Sequence, residues 1–297
     1  MSVMLVSEQL LNALQYGVML FLIASGLTLV LGIMNTLNLA HGALFMLAAY
    51  LAVATYGMTH SFVAAAAGAV AGVAAVAAAL EVLVMRQLYE RDHLDQVLAS
   101  FGLLLLLTEA APMLWGRASL EMPAPAALAG SVAVGTLRYP AYRLFVTGAG
   151  LLIAAMMYWA IHHTRIGIQI RAGATNRTML ACCGVNVRKL FFLVFCAGAA
   201  LAGAAGLLVS PLVAVDASMG DAILTLCFVI VAIGGLGSVR GAFVAALAVG
   251  FVDTFGRAFL PSVLGFPLGP AVASVGVYAF MAAVLIWRPR GLFPVRI

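Results

Sequence analysis

LLNALQYGVMLFLIASGLTLVLGI, residues 10 to 33, contains no Asp, Glu, Lys or Arg. A helix needs about 20 apolar residues to cross the roughly 30 Å hydrocarbon core of a bilayer, and this run supplies them. The same pattern returns at 38–57, 62–85, 96–115, 143–161, 190–214, 222–239, 241–260 and 268–287. Between these runs the few charges sit in short clusters. Across the chain 65% of residues are hydrophobic and 8% charged, where a soluble domain has about 45–50% apolar and about 25% charged residues. A water-soluble fold cannot hide that much apolar surface. The expectation is an all-α, polytopic transmembrane bundle of eight to ten segments, organised as one domain over 1–297. The short second segment and the seventh, interrupted by Gly234, Gly235 and Gly237, are candidates for broken or re-entrant segments, a common device of transporters.

Orientation follows from the cations, because cytoplasmic loops collect Lys and Arg. Residues 162–189 hold Arg165, Arg171, Arg177, Arg188 and Lys189 without one acid, and the tail adds Arg288, Arg290 and Arg296. With that loop and the tail inside, nine crossings place the N-terminus outside. Arg86, Arg91 and Arg240 then fall inside, and Arg117, Arg138, Arg143 and Arg257 outside. No Lys or Arg precedes the run from Leu10, and that run is too long for a signal-peptide core, so the first segment is expected to be retained. The largest outside loop, 116–142, carries Pro123, Pro125, Gly130, Gly135 and Pro140 and has room for a short hairpin. Gly68 and Gly72 make a small-xxx-small pair suited to close helix packing.

Several function classes lose support. The phosphate-binding loop G-x-x-x-x-G-K-[ST] is absent, since the only lysine, Lys189, lies between Arg188 and Leu190; ATP hydrolysis has to come from another chain. Ion-coupled carriers use ionisable groups within the membrane. Of Glu81, Glu109 and Asp253 only Asp253 reads as deep, and no relay emerges. His162 and His163 are adjacent, Cys182 and Cys183 are adjacent, and Cys196 and Cys227 sit in apolar surroundings, so neither a metal site nor a nucleophile with its base is expected.

Two polar stretches remain. MNTLNLAHG at 34–42 places Asn35, Asn38 and His41 between two apolar segments. Such groups need hydrogen-bond partners in lipid, either as a satisfied helix break that packs the bundle or as a break lining the substrate path. IGIQIRAGATNRTMLACCGVNVRKLFF from Ile166 reads as a surface helix joining two spans, or as a docking helix that inserts into a cytoplasmic motor.

NLAHGALFMLAAYLA (38–52), the 164–211 stretch from TRIGIQIRAGATNR to AGLLVSP, and GGLGSVRGAFVAALAVGFVDTFG (234–256) together resemble the LivH-type permeases of branched-chain amino acid ABC importers. Order and spacing agree over nearly the whole chain. The resemblance implies a bacterial inner-membrane permease subunit working with a homologous second permease, two cytoplasmic ATPases that bind ATP and Mg, and an extracytoplasmic solute-binding protein. No cofactor is implied in this chain itself. The family motif maps onto Asn38, His41 and Gly42, and with Asn35 and the glycines Gly234, Gly235 and Gly237 these are the expected path residues. The coupling segment, within 162–189, maps onto Asn176, Ala181, Gly184 and Val185. Leu39, Ala43 and Asp253 depart from the commoner aromatic, acidic or polar, and glutamate residues respectively, which bears on the solute more than on the family. Related permeases carry urea, amides or other amino acids.

Overall fold

The apolar runs fold as helices, and several of their first turns are closed by the polar residues that separate them. A computed structural model describes residues 3–134, 137–265 and 268–293; Gly135 and Arg296 lie outside the described residues. The first half comprises α1 (Val3–Met34), α2 (Ala40–Thr59), α3 (Phe62–Leu80), the one-turn α4 (Arg86–Leu88) and α5 (His93–Trp115). A short hairpin of β1 (Ser131–Val134) and β2 (Leu137–Pro140) follows, antiparallel with Ser131 opposite Pro140. The second half comprises α6 (Ala141–His163), the short α7 (Arg165–Thr175) and α8 (Arg177–Cys182), then α9 (Val187–Val209), α10 (Met219–Gly234), α11 (Val239–Leu264) and α12 (Leu268–Trp287). Ser61, Thr164, Asn176, Asn186 and Ser238 accept backbone N–H bonds at the starts of α3, α7, α8, α9 and α11. Each satisfies a donor that a helix start leaves without an intrahelical partner.

Among the described residues, eight helices are long and apolar enough to cross a membrane. α2 runs unbroken for 20 residues, about 30 Å of helix, which corrects the expectation of a broken second segment. The seventh is the short one. α10 has 16 residues, about 24 Å, and it begins beside α2 rather than at the bundle surface, since Gly220 in its first turn faces Gly42.

The contacts sort the connections onto two ends. At one, Gly32 meets Gly237, Gly235 meets the 290–293 tail, Asn35 bonds His93 and Arg240 bonds His162. At the other, Asn12 bonds Tyr139 and Arg143, Phe62 packs on Tyr142, and Leu120 pairs with Val215. Nine helices alternating between the ends put α1's start at the hairpin end and the tail at the opposite one. Ten of the described Lys and Arg fall at the tail end and four at the hairpin end, the distribution expected from the sequence.

α1 is the central post, packed by α6, α9, α10 and α11. Its Gly17, Gly26 and Gly32 sit against Gly250 of α11, Gly198 of α9 and Gly237 of the α10–α11 turn, so two helices and a turn approach α1 with backbone nearly touching backbone. In hydrocarbon, where van der Waals contact drives helix association, that approach is the main source of packing energy. Gly68 and Gly72 of α3 make room instead for side chains of α2, Thr55 and Leu51.

Candidate functional site

A cavity of about 590 Å³ opens at the hairpin end between α1, α2, α10 and α11. Its polar wall comes from one face of α1, where Gln9, Asn12 and Tyr16 recur at helical spacing, with Gln15 beside them, and from Asp253, Thr254 and Arg257 on α11. Its apolar wall includes Met19, Phe45, Met219, Ile223 and Leu226. The Arg257 Nε donates to both oxygens of Asp253, at 2.9 and 2.8 Å, while its Nη2 reaches Ser274 Oγ at 3.3 Å. Asp253 is buried, 8% of its side chain exposed against 53% for Arg257, so the pair points a carboxylate inward and a guanidinium toward the opening. Asn12 fixes a second guanidinium, accepting from Arg143 Nη1 at 2.7 Å and from Tyr139 Oη at 2.8 Å. Burial raises the Tyr139 phenol, which keeps it a donor in this bond. The cavity thus offers both signs of charge beside an apolar wall, within the size range of small-molecule sites.

The 35–39 break is built differently. Asn38 is 1% exposed and its Oδ1 accepts from Ala40 N at 3.1 Å, holding the start of α2. The free backbone of the break is satisfied by Ser100 of α5, which receives Leu39 N at 3.2 Å and donates to Leu37 O at 3.2 Å. His41, also 1% exposed, bonds Ile23 O of α1 through Nε2 at 2.9 Å. A carbonyl only accepts, so that nitrogen carries the proton. Gly42 has no room for a side chain, since a Cβ there would lie 2.4 Å from Gly220 O. Asn35, with φ +49°, is exposed and faces His93 at 3.4 Å. None of Asn35, Asn38, His41 or Gly42 lines the hairpin-end cavity. The nearest lining residue on α2 is Phe45, one turn beyond His41.

Gly234, Gly235 and Gly237 are likewise remote from that cavity. Gly234 packs against Gly241 across the α10–α11 turn, and Gly235 and Gly237 hold φ of +99° and +74°, values that side chains rarely adopt. The tail closes on this turn, with Leu292 N bonded to Ile233 O at 2.8 Å and Phe293 N to Gly234 O at 3.1 Å.

The model of the family described as "Branched-chain amino acid transport system / permease component" matches residues 9–287. Pseudomonas aeruginosa BraD, a high-affinity branched-chain amino acid transport system permease protein, is 26% identical, the match covering 96% of this chain and 94% of the relative. LivH of Escherichia coli K12, of the same description, is 25% identical with the same coverage. This chain belongs to that permease family. The family is a transport component rather than an enzyme, with which a helical bundle holding a polar cavity agrees.

Within this permease the 162–189 segment forms a compact cap at the arginine-rich end. α7 buries Gly167 and Gly173 against the bundle, and α8 buries Leu180. Asn176 caps α8 by accepting from Met179 N at 3.0 Å. Ala181 is exposed, as are Met179, Cys182 and Cys183. Gly184, at φ +81°, ends the helix with open space around it, and Val185 turns back onto the core. The small residues of α8 therefore face outward.

The cavity's polar lining escaped the sequence reading except for Asp253. The signal was present: Gln9, Asn12 and Tyr16 fall at i, i+3 and i+7 in an otherwise apolar run, and Asp253 and Arg257 fall at i, i+4.

Proposed function

We propose that the chain is the permease subunit of an ATP-driven, binding-protein-dependent importer of branched-chain amino acids in the bacterial inner membrane, with its arginine-rich end cytoplasmic. The outer cavity carries this reading. A branched-chain amino acid is a zwitterion with an apolar side chain. The Asp253 carboxylate suits its ammonium, the Arg143 and Arg257 guanidiniums suit its carboxylate, and the Phe45, Ile223 and Leu226 side suits its hydrocarbon. A charged group leaving water has to find its opposite, or the transfer is prohibitive. Partners are a homologous second permease, two cytoplasmic ATPases that hold ATP and Mg, and an extracytoplasmic binding protein that delivers the solute. In this scheme Asn38, His41 and Gly42 fix α2 so that Phe45 faces the path, and the Gly234–Gly237 turn joins α10 and α11 below it.

Asn176, Ala181, Gly184 and Val185 form the coupling element. α8 presents small, exposed residues to a partner groove, and its two connections lead directly into α6 by way of α7 and into α9. Ala181→Trp is expected to leave membrane insertion intact while abolishing co-purification of the ATPases, through a steric clash at the groove. Wild-type co-purification would move the docking site elsewhere.

The functional test is uptake by the assembled complex in liposomes. Leucine uptake should require ATP and the binding protein. Uptake of urea or acetamide but not leucine would favour the related-solute reading. Uptake driven by a pH gradient without ATP would favour an ion-coupled carrier, although the Asp253 carboxylate is already engaged by Arg257 on both oxygens.

A further inference from the structure

α6 and α11 both pack against α1 and leave between them an apolar furrow of about 370 Å³. Its floor is Phe21, edge-on to Phe243 with ring centroids 5.0 Å apart, and its walls include Leu151, Ala154, Ala155 and Val244. The flanks are exposed and hydrophobic, with Leu152 at 61% and Trp159 at 60%, as expected of a face turned to lipid.

Toward the arginine-rich end the furrow stops at a cation. The Arg240 guanidinium lies 5.4 Å over the Tyr158 ring and donates to Tyr158 Oη at 3.0 Å. It also faces His162 Nε2 at 3.2 Å, while His162 Nδ1 lies 2.9 Å from Tyr158 O. A guanidinium and a carbonyl fix the roles: Nδ1 donates, Nε2 accepts, and the imidazole is neutral. The cluster orients Arg240 without neutralising it. Among the described residues the ion pairs are Arg86–Glu81 and Arg257–Asp253, and no acid occurs in α6, α7 or α1 beyond Glu8. Arg171 lines the cavity adjoining on the tail side, together with Thr175 and Ser238.

We propose that this furrow binds an anionic phospholipid of the leaflet at the arginine-rich end, with an acyl chain along Phe21 and Ala155 and the phosphate on Arg240. Arg240 is the second residue of α11, at the membrane boundary, where headgroup phosphates lie. An acidic side chain of a protein partner would satisfy the cation but leave the apolar groove below it empty. A phospholipid places a chain and a phosphate in that order along the membrane normal. The lipid bridges α6, which leads into the 162–189 cap, to α11, which carries Asp253, so its occupancy bears on how the two move together.

Native mass spectrometry of the full-length chain, supplied with phosphatidylglycerol or phosphatidylcholine of identical acyl chains, tests the assignment. The wild type should retain phosphatidylglycerol roughly fivefold better, the preference that about 1 kcal/mol from one basic residue near an anionic surface confers. Arg240→Ala should erase the preference, Arg240→Lys should restore part of it, and Arg138→Ala at the hairpin end should leave it intact. Ala155→Phe keeps the cation and fills the furrow, so it should lower retention of both lipids; it also remains informative should Arg240→Ala misfold. Equal retention of the two lipids by the wild type, or an undiminished preference in Arg240→Ala, overturns the proposal. Displacement of the lipid by millimolar inorganic phosphate would also overturn it, showing an anion site without a lipid component.

Discussion

The break at 35–39 and the cavity at the hairpin end are both polar regions inside an apolar bundle, and they solve opposite problems. In and beside the break, three side chains are engaged by backbone groups: Asn38 by Ala40 N, Ser100 by Leu37 and Leu39, and His41 by Ile23 O. In the cavity, Asp253, Arg257, Arg143 and Gln15 stand around open space. Ser100 and Ile23, brought in from α5 and α1, supply the partners that the break's own backbone and His41 lack. Groups gathered from α1, α6 and α11 bond at the cavity's rim, Arg143 to Asn12 and Arg257 to Asp253, and leave a volume between those pairs. The polar residues that are easiest to see in the sequence are therefore remote from the cavity, and those that line it are dispersed along the chain.

That contrast predicts separable phenotypes, and the largest effect belongs to the scaffold. Gly42→Leu would drive a side chain into the Gly220 carbonyl, which a Cβ alone would approach to 2.4 Å. Neither helix can yield without disturbing its other neighbours, so the variant should accumulate poorly and lose its monodisperse elution in detergent. Normal expression and elution would show that α2 and α10 are less tightly apposed than described.

Asp253→Ala comes next. The lost carboxylate leaves Arg257 half-exposed with Ser274 as its remaining partner, so stability should change little. ATP-driven leucine uptake should fall at least tenfold, because the solute ammonium loses its counter-charge, equivalent to about 1.4 kcal/mol or more. A variant with wild-type uptake would remove Asp253 from the path.

The smallest effect is expected from His41→Ala. It removes one buried hydrogen bond and opens a small void, a loss of about 1–3 kcal/mol in stability. Thermal unfolding in detergent should shift down, whereas the leucine concentration for half-maximal uptake should hold. A normal melting temperature with a changed half-maximal concentration would reverse the assignment and place His41 in contact with solute.

Much of this architecture was legible beforehand. The spans followed from apolar length, the ends from the arginines, and the hairpin at 131–140 from the proline and glycine density of its loop. Those features depend on local composition or on one-dimensional counting. The continuity of α2 was harder to read because Asn38 and His41 look like interruptions until Ser100 and Ile23 are known to satisfy them. The short α10 was suspected for its glycines at the far end, but its length is set by where it starts, against Gly42. The cavity required knowing that the Gln9–Asn12–Tyr16 face of α1 turns toward the Asp253 face of α11. That pairing is fixed by Gly17 meeting Gly250, a contact across most of the chain that no local pattern announces.

The central claim, that the hairpin-end cavity is the solute's path, is tested most directly at Thr254, which lines it beside Asp253. In a variant without the four natural cysteines, Thr254→Cys in the assembled transporter should react with a membrane-impermeant thiol reagent from the binding-protein side. Leucine-loaded binding protein with ATP should slow that reaction at least severalfold, while Ala43→Cys, buried in the first turn of α2, should stay unreactive under both conditions. Labelling of Thr254→Cys that is unaffected by solute, or solute protection confined to Ala43→Cys, would contradict the account.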